Sequence, residues 1–310
     1  MEAPDRPDDH LDAELWLLLG HGVHDSPVAR LLRRVFAEQF GPRFAAVHTF
    51  QLLLGVSGGR LTLHDLAGRA VRPPRVACVR LPVTTLTNDR EITLLRHLQA
   101  MGTEVLNPIE AVLACANKFW QLQQLALAGL PVPDTRTYTD ARLDEALAAG
   151  VPEPCVVKSV RGQGGSRVFL APDAALLADL QGSLRPDVPY LFQRYVRHSH
   201  GRDLRVIVVD GRAVAAAVRT SADGGLKSNV ALGGAVDPCP GRYPEGEELA
   251  VRAAKEIGLV IAGVDLLFEA DGTFTVCEVN ANVSWGERMP EVAPALVAAC
   301  AARLARPSGS

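Results

Sequence analysis

The six cysteines (Cys78, Cys115, Cys155, Cys239, Cys277 and Cys300) include no CxxC pair and no metal-ligand spacing. Most lie in apolar runs, as buried thiols do, so a reducing, cytoplasmic setting is expected. Charge of one sign is also lacking. The net charge is −3 with both signs interspersed, which implies neither a nucleic-acid nor a membrane partner. No apolar run reaches the length of a membrane span. Residues 1–10 are acidic and Pro-rich, unlike a secretory signal, and read as a disordered tail, as do residues 307–310. No Walker A loop, dinucleotide GxGxxG or internal repeat is present.

What is present is a chain of 310 residues, enough for more than one domain. Its focus is residues 260–284, VIAGVDLLFEADGTFTVCEVNANVS. Two apolar runs, 261–268 and 273–279, flank Glu269-Ala270-Asp271-Gly272, and Asp-Gly between such runs predicts a hairpin. Side chains alternate along a strand, so Glu278, Asn280 and Asn282 share a face. A two-residue turn sets Asp265 opposite Glu278, and a four-residue turn sets it opposite Val276. Either even loop brings Asp265, Glu278 and Asn280 to one face. Two carboxylates and an amide on an apolar wall suit Mg²⁺ or Mn²⁺ shared with phosphates. Salt bridges or a solvated face are the plain alternative.

Before this hairpin, strands alternate with helices through residue 114, which predicts a small α/β domain with a mostly parallel sheet. Ser26 and Pro27 open a helix with Leu31, Leu32, Val35 and Phe36 as its apolar stripe. Gly55-Val56-Ser57-Gly58-Gly59 matches a nucleophile elbow, but the strand-like run after it favours a plain glycine hairpin. Asn117-Lys118 opens a helix ended by Gly129 and Pro131. From there antiparallel strands and helices predict an α+β arrangement. Lys158 precedes the glycine-rich turn Arg161-Gly162-Gln163-Gly164-Gly165-Ser166, a pairing able to hold phosphates. The ordinary readings are an exposed helix lysine for Lys118, a simple hairpin around Lys158, and a surface ion pair for Asp203 with Arg205.

In order, these features resemble the RimK-type amino-acid ligases of the ATP-grasp family. The resemblance is carried by Asn117-Lys118-Phe119-Trp120, residues 189–196 with 199–209, Ser228-Asn229-x-x-Leu232-Gly233-Gly234, and residues 276–283 (VCEVNANV). It is strongest toward the N-acetylaspartylglutamate and β-citrylglutamate synthase group. It departs from ribosomal-protein glutamate ligases at Arg194 and at Asn282-Val283-Ser284-Trp285. The resemblance implies an ATP-grasp fold: an N-terminal α/β domain over 11–114, then α+β subdomains over 115–190 and 191–306 gripping ATP.

It also implies roles. Lys118 and Lys158 contact ATP phosphates, and Arg161, Gly162, Gly164, Gly165 and Ser166 belong to the loop folding over them. Gln193, Arg194, Tyr195 and Val196 form the adenine-reading linker, and Asp203 holds the ribose. Lys227, Ser228 and Asn229 lie near the phosphate end. Asp265, Glu278 and Asn280 hold two Mg²⁺ or Mn²⁺ ions, and Arg219, with Asn229, serves catalysis beside an acyl phosphate. The implied activity is ATP-dependent joining of a carboxylate to an amino acid, with glutamate expected, by an enzyme that is often oligomeric. The alternatives are glutamate transfer to a protein or peptide carboxyl terminus, a non-catalytic ATP-binding module, and a kinase.

Overall fold

The structure is a computed structural model. It describes residues 11–20, 25–81, 89–162, 167–185, 187–226 and 234–307. In chain order the elements begin with β1 (Leu15–Leu19), α1 (Pro27–Phe40), β2 (Phe44–His48), β3 (Leu52–Ser57), β4 (Arg60–Asp65) and β5 (Val76–Arg80). They continue with α2 (Arg90–Ala100), β6 (Glu104–Leu106), α3 (Ile109–Ala116), α4 (Lys118–Leu127), β7 (Thr135–Thr137) and α5 (Leu143–Ala148). Next come β8 (Cys155–Ser159), β9 (Val168–Ala171), α6 (Ala174–Gln181), β10 (Tyr190–Arg194), β11 (Arg202–Val209) and β12 (Arg212–Thr220). The last are β13 (Ala235–Pro238), α7 (Pro244–Ile257), β14 (Ile261–Phe268), β15 (Phe274–Asn280) and α8 (Val292–Leu304). Among the described residues no helix is long and apolar enough to cross a membrane.

Contacts divide the chain into two compact units. The first gathers Met1–Val112, Gly258–Ile261 and Ala281–Ser310; the second gathers Leu113–Ile257 and Ala262–Asn280.

The first unit is built on a parallel sheet in the order β2-β1-β5-β6. Every residue of β1 is buried, as a central parallel strand requires. Ser26 caps α1, its Oγ accepting from the Ala29 N–H at 3.2 Å, with Pro27 at the first helical position. The helix buries Val28, Leu32, Phe36 and Phe40, whereas Leu31 and Val35 of the expected stripe are half-buried. Asn107 binds the late segments into this unit. Its Oδ1 accepts from the Val260 and Ile261 N–H groups at 2.8 Å, and its Nδ2 donates to the Ile261 and Ala281 carbonyls at 2.7 and 3.0 Å. The GxSxG stretch is a hairpin joining β3 to β4, with Gly58 and Gly59 at φ 55° and 74°. Those left-handed values are what a two-residue hairpin turn demands.

The second unit holds a four-stranded antiparallel sheet, β7-β10-β8-β9, and a five-stranded sheet, β13-β12-β11-β14-β15. Helix α7 packs on the larger sheet at close range. A Cβ at Gly246 would stand 2.8 Å from the Leu204 side chain, so any larger residue would have to push Leu204 aside. Strands β7 and β13 and helix α5 were not foreseen. They are short or polar segments without a strong period.

The β14–β15 hairpin departs from expectation in its turn. The Glu269 N–H donates to the Thr273 carbonyl at 2.9 Å, so the loop is the odd run Ala270-Asp271-Gly272. Gly272 sits at φ 84°, and Asp271 Oδ1 accepts from the Thr273 N–H and hydroxyl. An odd loop alone would set Asp265 opposite Cys277. The register instead shifts between Asp265 and Leu266: Leu266 pairs with Val276, Asp265 pairs with Glu278, and Cys277 is the extra residue of a bulge. The expected facing of Asp265 and Glu278 is reached, through two odd steps rather than one even loop.

Candidate active site

The site is built from the residues of the second unit. Asn117 caps α4, its Oδ1 accepting from the Phe119 and Trp120 N–H groups. The cap fixes Lys118 at the first helical position, where the helix dipole disfavours a cation. Compensation comes from the neighbours: Nζ donates to the Gly162 carbonyl at 2.7 Å and lies 3.2 Å from Glu278 Oε1. Lys118 is 9% exposed, so it is not an ordinary surface lysine. One turn on, the fully buried Gln121 accepts from the Val279 N–H at 2.5 Å. Residues i and i+3 share a helix face, so α4 grips β15 at two successive residues. Sequence reasoning missed Gln121.

Lys158, next to last in β8, is also buried, and the strands around it form the expected antiparallel hairpin, β8 with β9. Its Nζ points at Cys277 Sγ, 3.7 Å away, on the bulge of β15. Burial pushes the Glu278 carboxyl up, but Lys118 and Lys158 outweigh it and hold the group below the ordinary carboxylate range.

Asp203 and Arg205 do not form a surface ion pair. Both project from β11 toward its two neighbours. Asp203 lies directly opposite Arg219 of β12 and accepts from its Nε and Nη2 at 2.7 and 2.5 Å, a bidentate pair. Arg205 Nε and Arg219 Nη2 each lie 2.9 Å from Asp265 Oδ1 on β14. Neither approach has hydrogen-bond alignment, and Asp265 Oδ1 and Arg205 Nη1 are both buried without an aligned partner. Burial raises the Asp265 carboxyl pKa despite the two arginines, and lowers that of Arg205. Burial works against the Arg219 charge too, but Asp265 and Asp203 more than restore it, so its pKa is raised. Arg205 was legible as a face-mate of Asp203, but its partner was sought on the wrong strand.

Asn280 Nδ2 reaches the Gly263 carbonyl and Asp265 Oδ2, both at 3.4 Å. Among the described residues no three His, Cys, Asp or Glu side chains gather as metal ligands. The oxygen set is instead two carboxylates and the Asn280 amide.

The linker lies at the end of β10. Gln193 is buried and donates to Thr135 Oγ1 at 3.0 Å, and Arg194 pairs with Glu269 at 2.6 Å. The Arg194 and Tyr195 N–H groups donate to the Asp134 and Pro154 carbonyls, and the Val196 carbonyl accepts from Ser199. Tyr195 bonds His200 Nδ1 at 2.6 Å, and His200 Nε2 meets the Gly224 carbonyl at 3.0 Å. A carbonyl demands a donor, so Nε2 carries hydrogen and Nδ1 accepts from Tyr195. Arg161 is exposed, and its carbonyl accepts from Ser159 Oγ. Gly164, Gly165, Ser166, Lys227, Ser228 and Asn229 lie outside the described residues.

The structure therefore brings Lys118, Lys158, Asp265 and Glu278, with Asn280, Asp203 and Arg219, onto connected parts of one unit. Residues 115–291 match the RimK-like ATP-grasp domain model. The chain is 40% identical over 282 residues to human N-acetylaspartylglutamate synthase A, covering 88% of this chain and 71% of that protein. It is 41% identical over 281 residues to human beta-citrylglutamate synthase B, covering 88% and 72%. The ATP-grasp ligase PsnB, solved with a minimal precursor, Mg and ADP, has the same fold: TM-score 0.68, 22% identity, covering 94% of this chain and 99% of that one. The chain belongs to the RimK-like ATP-grasp family and is a ligase that forms carbon–nitrogen bonds.

Proposed function

We propose that the protein activates the carboxylate of a small organic acid with ATP and joins it to L-glutamate. The observation that carries this is the meeting of Lys118, from a helix start, and Lys158, from a strand end, on the Cys277–Glu278 step of β15. Ammonium groups beside oxygen ligands are what a triphosphate and its metal require. The two human relatives are each named for a compound that ends in glutamate, which supports glutamate as the amine.

The donor set fits a hard divalent cation. Asp265 Oδ1 is a buried carboxylate oxygen without an aligned donor, Glu278 is held ionised, and Asn280 adds an amide. Asp265, Glu278 and Asn280 would hold Mg²⁺ or Mn²⁺, in our reading two ions, which would neutralise charge on the β- and γ-phosphates. Lys118 and Lys158 grip the phosphates, and the α4 N-terminus adds its dipole. The glycine-rich stretch after Lys158 would offer backbone N–H groups to them. At the linker, the Val196 N–H and the remaining carbonyls are left to read the adenine edge. Both oxygens of Asp203 are engaged by Arg219, so we assign Asp203 to orienting Arg219 rather than to the ribose. Lys227, Ser228 and Asn229 serve the phosphate end.

In the reaction, the γ-phosphoryl passes to a carboxylate oxygen and ADP leaves. The glutamate nitrogen attacks the acyl carbon and loses a proton, phosphate departs, and an amide remains. Arg219 stabilises the oxyanion formed on attack. The test is phosphate release from Mg-ATP with glutamate and a panel of acids that includes N-acetylaspartate and citrate, with products weighed by mass spectrometry. Release requiring both partners, with a product heavier by one glutamyl residue, is expected. Release with a peptide but no small acid would move the acceptor to a carboxyl terminus, and no release with any acceptor would sink the ligase reading.

A further inference from the structure

Among the described residues of the first unit, one buried cation has no carboxylate partner. Arg80 ends β5 and is 6% exposed. The other buried arginines each face a carboxylate: Arg219 faces Asp203, and Arg303 faces Glu104. Among the described residues Arg80 has no such partner. Burial lowers its pKa to about 10, and the opposing charge acting on it is that of the Cys78 thiol. Its Nη1 donates to the Val283 carbonyl at 2.6 Å, and the guanidinium lies 5.8 Å from the Trp285 ring centre. Its Nε is buried with no hydrogen-bond partner.

Asn282 repeats the pattern from the other side. Its Nδ2 donates to the Leu81 carbonyl at 2.6 Å, while its Oδ1 is buried with no donor. Thus Arg80 bonds the backbone beside Asn282, and Asn282 bonds the backbone beside Arg80. The two bonds link residues 80–81 to residues 282–283 and leave one cationic donor and one neutral acceptor unused there.

Their place in the sheet matters. The chain leaves β1 for β2 on one side and β5 for β6 on the other, so the order reverses between β1 and β5. Arg80 stands at the carboxyl end of β5, where such sheets take their ligands. A dry, unpaired guanidinium is costly, and an anionic ligand removes the cost.

We propose that Arg80 and Asn282 form a subsite for a substrate carboxylate that has an N–H or O–H donor close by. Arg80 Nε donates to the carboxylate, and Asn282 Oδ1 accepts from the neighbouring donor. An N-acyl amino acid, a hydroxy acid and a free amino acid all present this pair. The subsite therefore serves either the acid or the amino acid of the proposed ligation. Only the substrate assignment rests on that reading; the binding of a carboxylate does not.

The experiment uses the full chain with Arg80→Lys, which keeps the charge but loses Nε, and Asn282→Leu, which keeps Arg80. Calorimetry without ATP measures binding of N-acetylaspartate, citrate, tricarballylate (citrate without its hydroxyl) and glutamate; steady-state rates give each KM. In Arg80→Lys we expect the KM of one carboxylic substrate to rise about 10- to 100-fold while that of ATP holds within about twofold. Whether the acid or glutamate responds identifies the occupant. Asn282→Leu should erase any preference for citrate over tricarballylate. If wild type binds a carboxylate that Arg80→Lys loses, the subsite stands even where no ligation is seen. Unchanged affinities and KM values in folded variants would overturn the proposal. So would failure of wild type to bind any of these acids, or, should Arg80→Lys not fold, unaltered binding in Asn282→Leu.

Discussion

Two clusters of buried charge answer the same physical problem differently. On the large sheet of the second unit, Asp203, Arg205, Arg219 and Asp265 share their charges across three adjacent strands, with Lys118 and Glu278 paired beside them. At the end of β5 in the first unit, Arg80 is held by a carbonyl and an aromatic ring, with no carboxylate. A shared network is rigid and nearly neutral, and suits groups that must stay fixed while phosphates come and go. A lone cation is poised for an anion that arrives from outside. In our proposals the difference separates chemistry from recognition: we assign the first cluster to the phosphates and the second to a carboxylate.

The largest effect should come from Glu278→Ala. We expect turnover to fall by about 10³-fold or more, since the variant loses both an oxygen ligand and the partner of Lys118. Near wild-type phosphate release at saturating Mg²⁺ would remove the metal assignment. Next in size is Arg219→Met, which strands Asp203 and leaves Asp265 with one arginine. Urea unfolding should show a loss of about 3–5 kcal/mol. Arg80→Met strands no charge and loses the bond to the Val283 carbonyl and the approach to the Trp285 ring, so about 0–2 kcal/mol is expected. A cost equal to that of Arg219→Met would erase the contrast between the clusters.

The smallest effect is one of pH. Glu278 is held below its ordinary value, so its ion pair adds stability above pH 4.5 that is lost as pH falls through its lowered, folded pKa. Lys118→Met removes one of the cations that lower that pKa, so it should rise toward its ordinary value. The stability gap between wild type and variant should therefore be widest above pH 4.5 and close on acidification, as read from urea melts across pH. A gap independent of pH would mean that Lys118 acts through packing rather than through Glu278.

Much of this was legible in the sequence, for local reasons. Ser26 and Asn117 announced their helices because a cap is a contact between near neighbours. Glu278 and Asn280 shared a face because strand side chains alternate. The facing of Asp265 and Glu278 came out right by a wrong route. The turn has three residues, and only the bulge at Cys277 restores the pairing. Bulges depend on how the strand lies on its neighbours, so composition did not disclose it. Lys118 read as an ordinary helix lysine because its partner is 160 positions away. The ion pair drawn between Asp203 and Arg205 failed because side chains on one strand face reach sideways to adjacent strands.

The sequence by itself determined the elements and the chemistry on offer: capped helices, a hairpin at Asp271-Gly272, oxygen ligands on β15 and lysines at element ends. These follow from backbone preferences and period, which act over a few residues. Only the tertiary structure decided which charges meet. Strand order β12-β11-β14 gives Asp265 two arginines, and the return of residues 281–285 to the first unit sets Asn282 and Trp285 beside Arg80. Ion pairing falls off within a few ångströms while its partners lie far apart in the chain, so it is settled by packing and not by spacing.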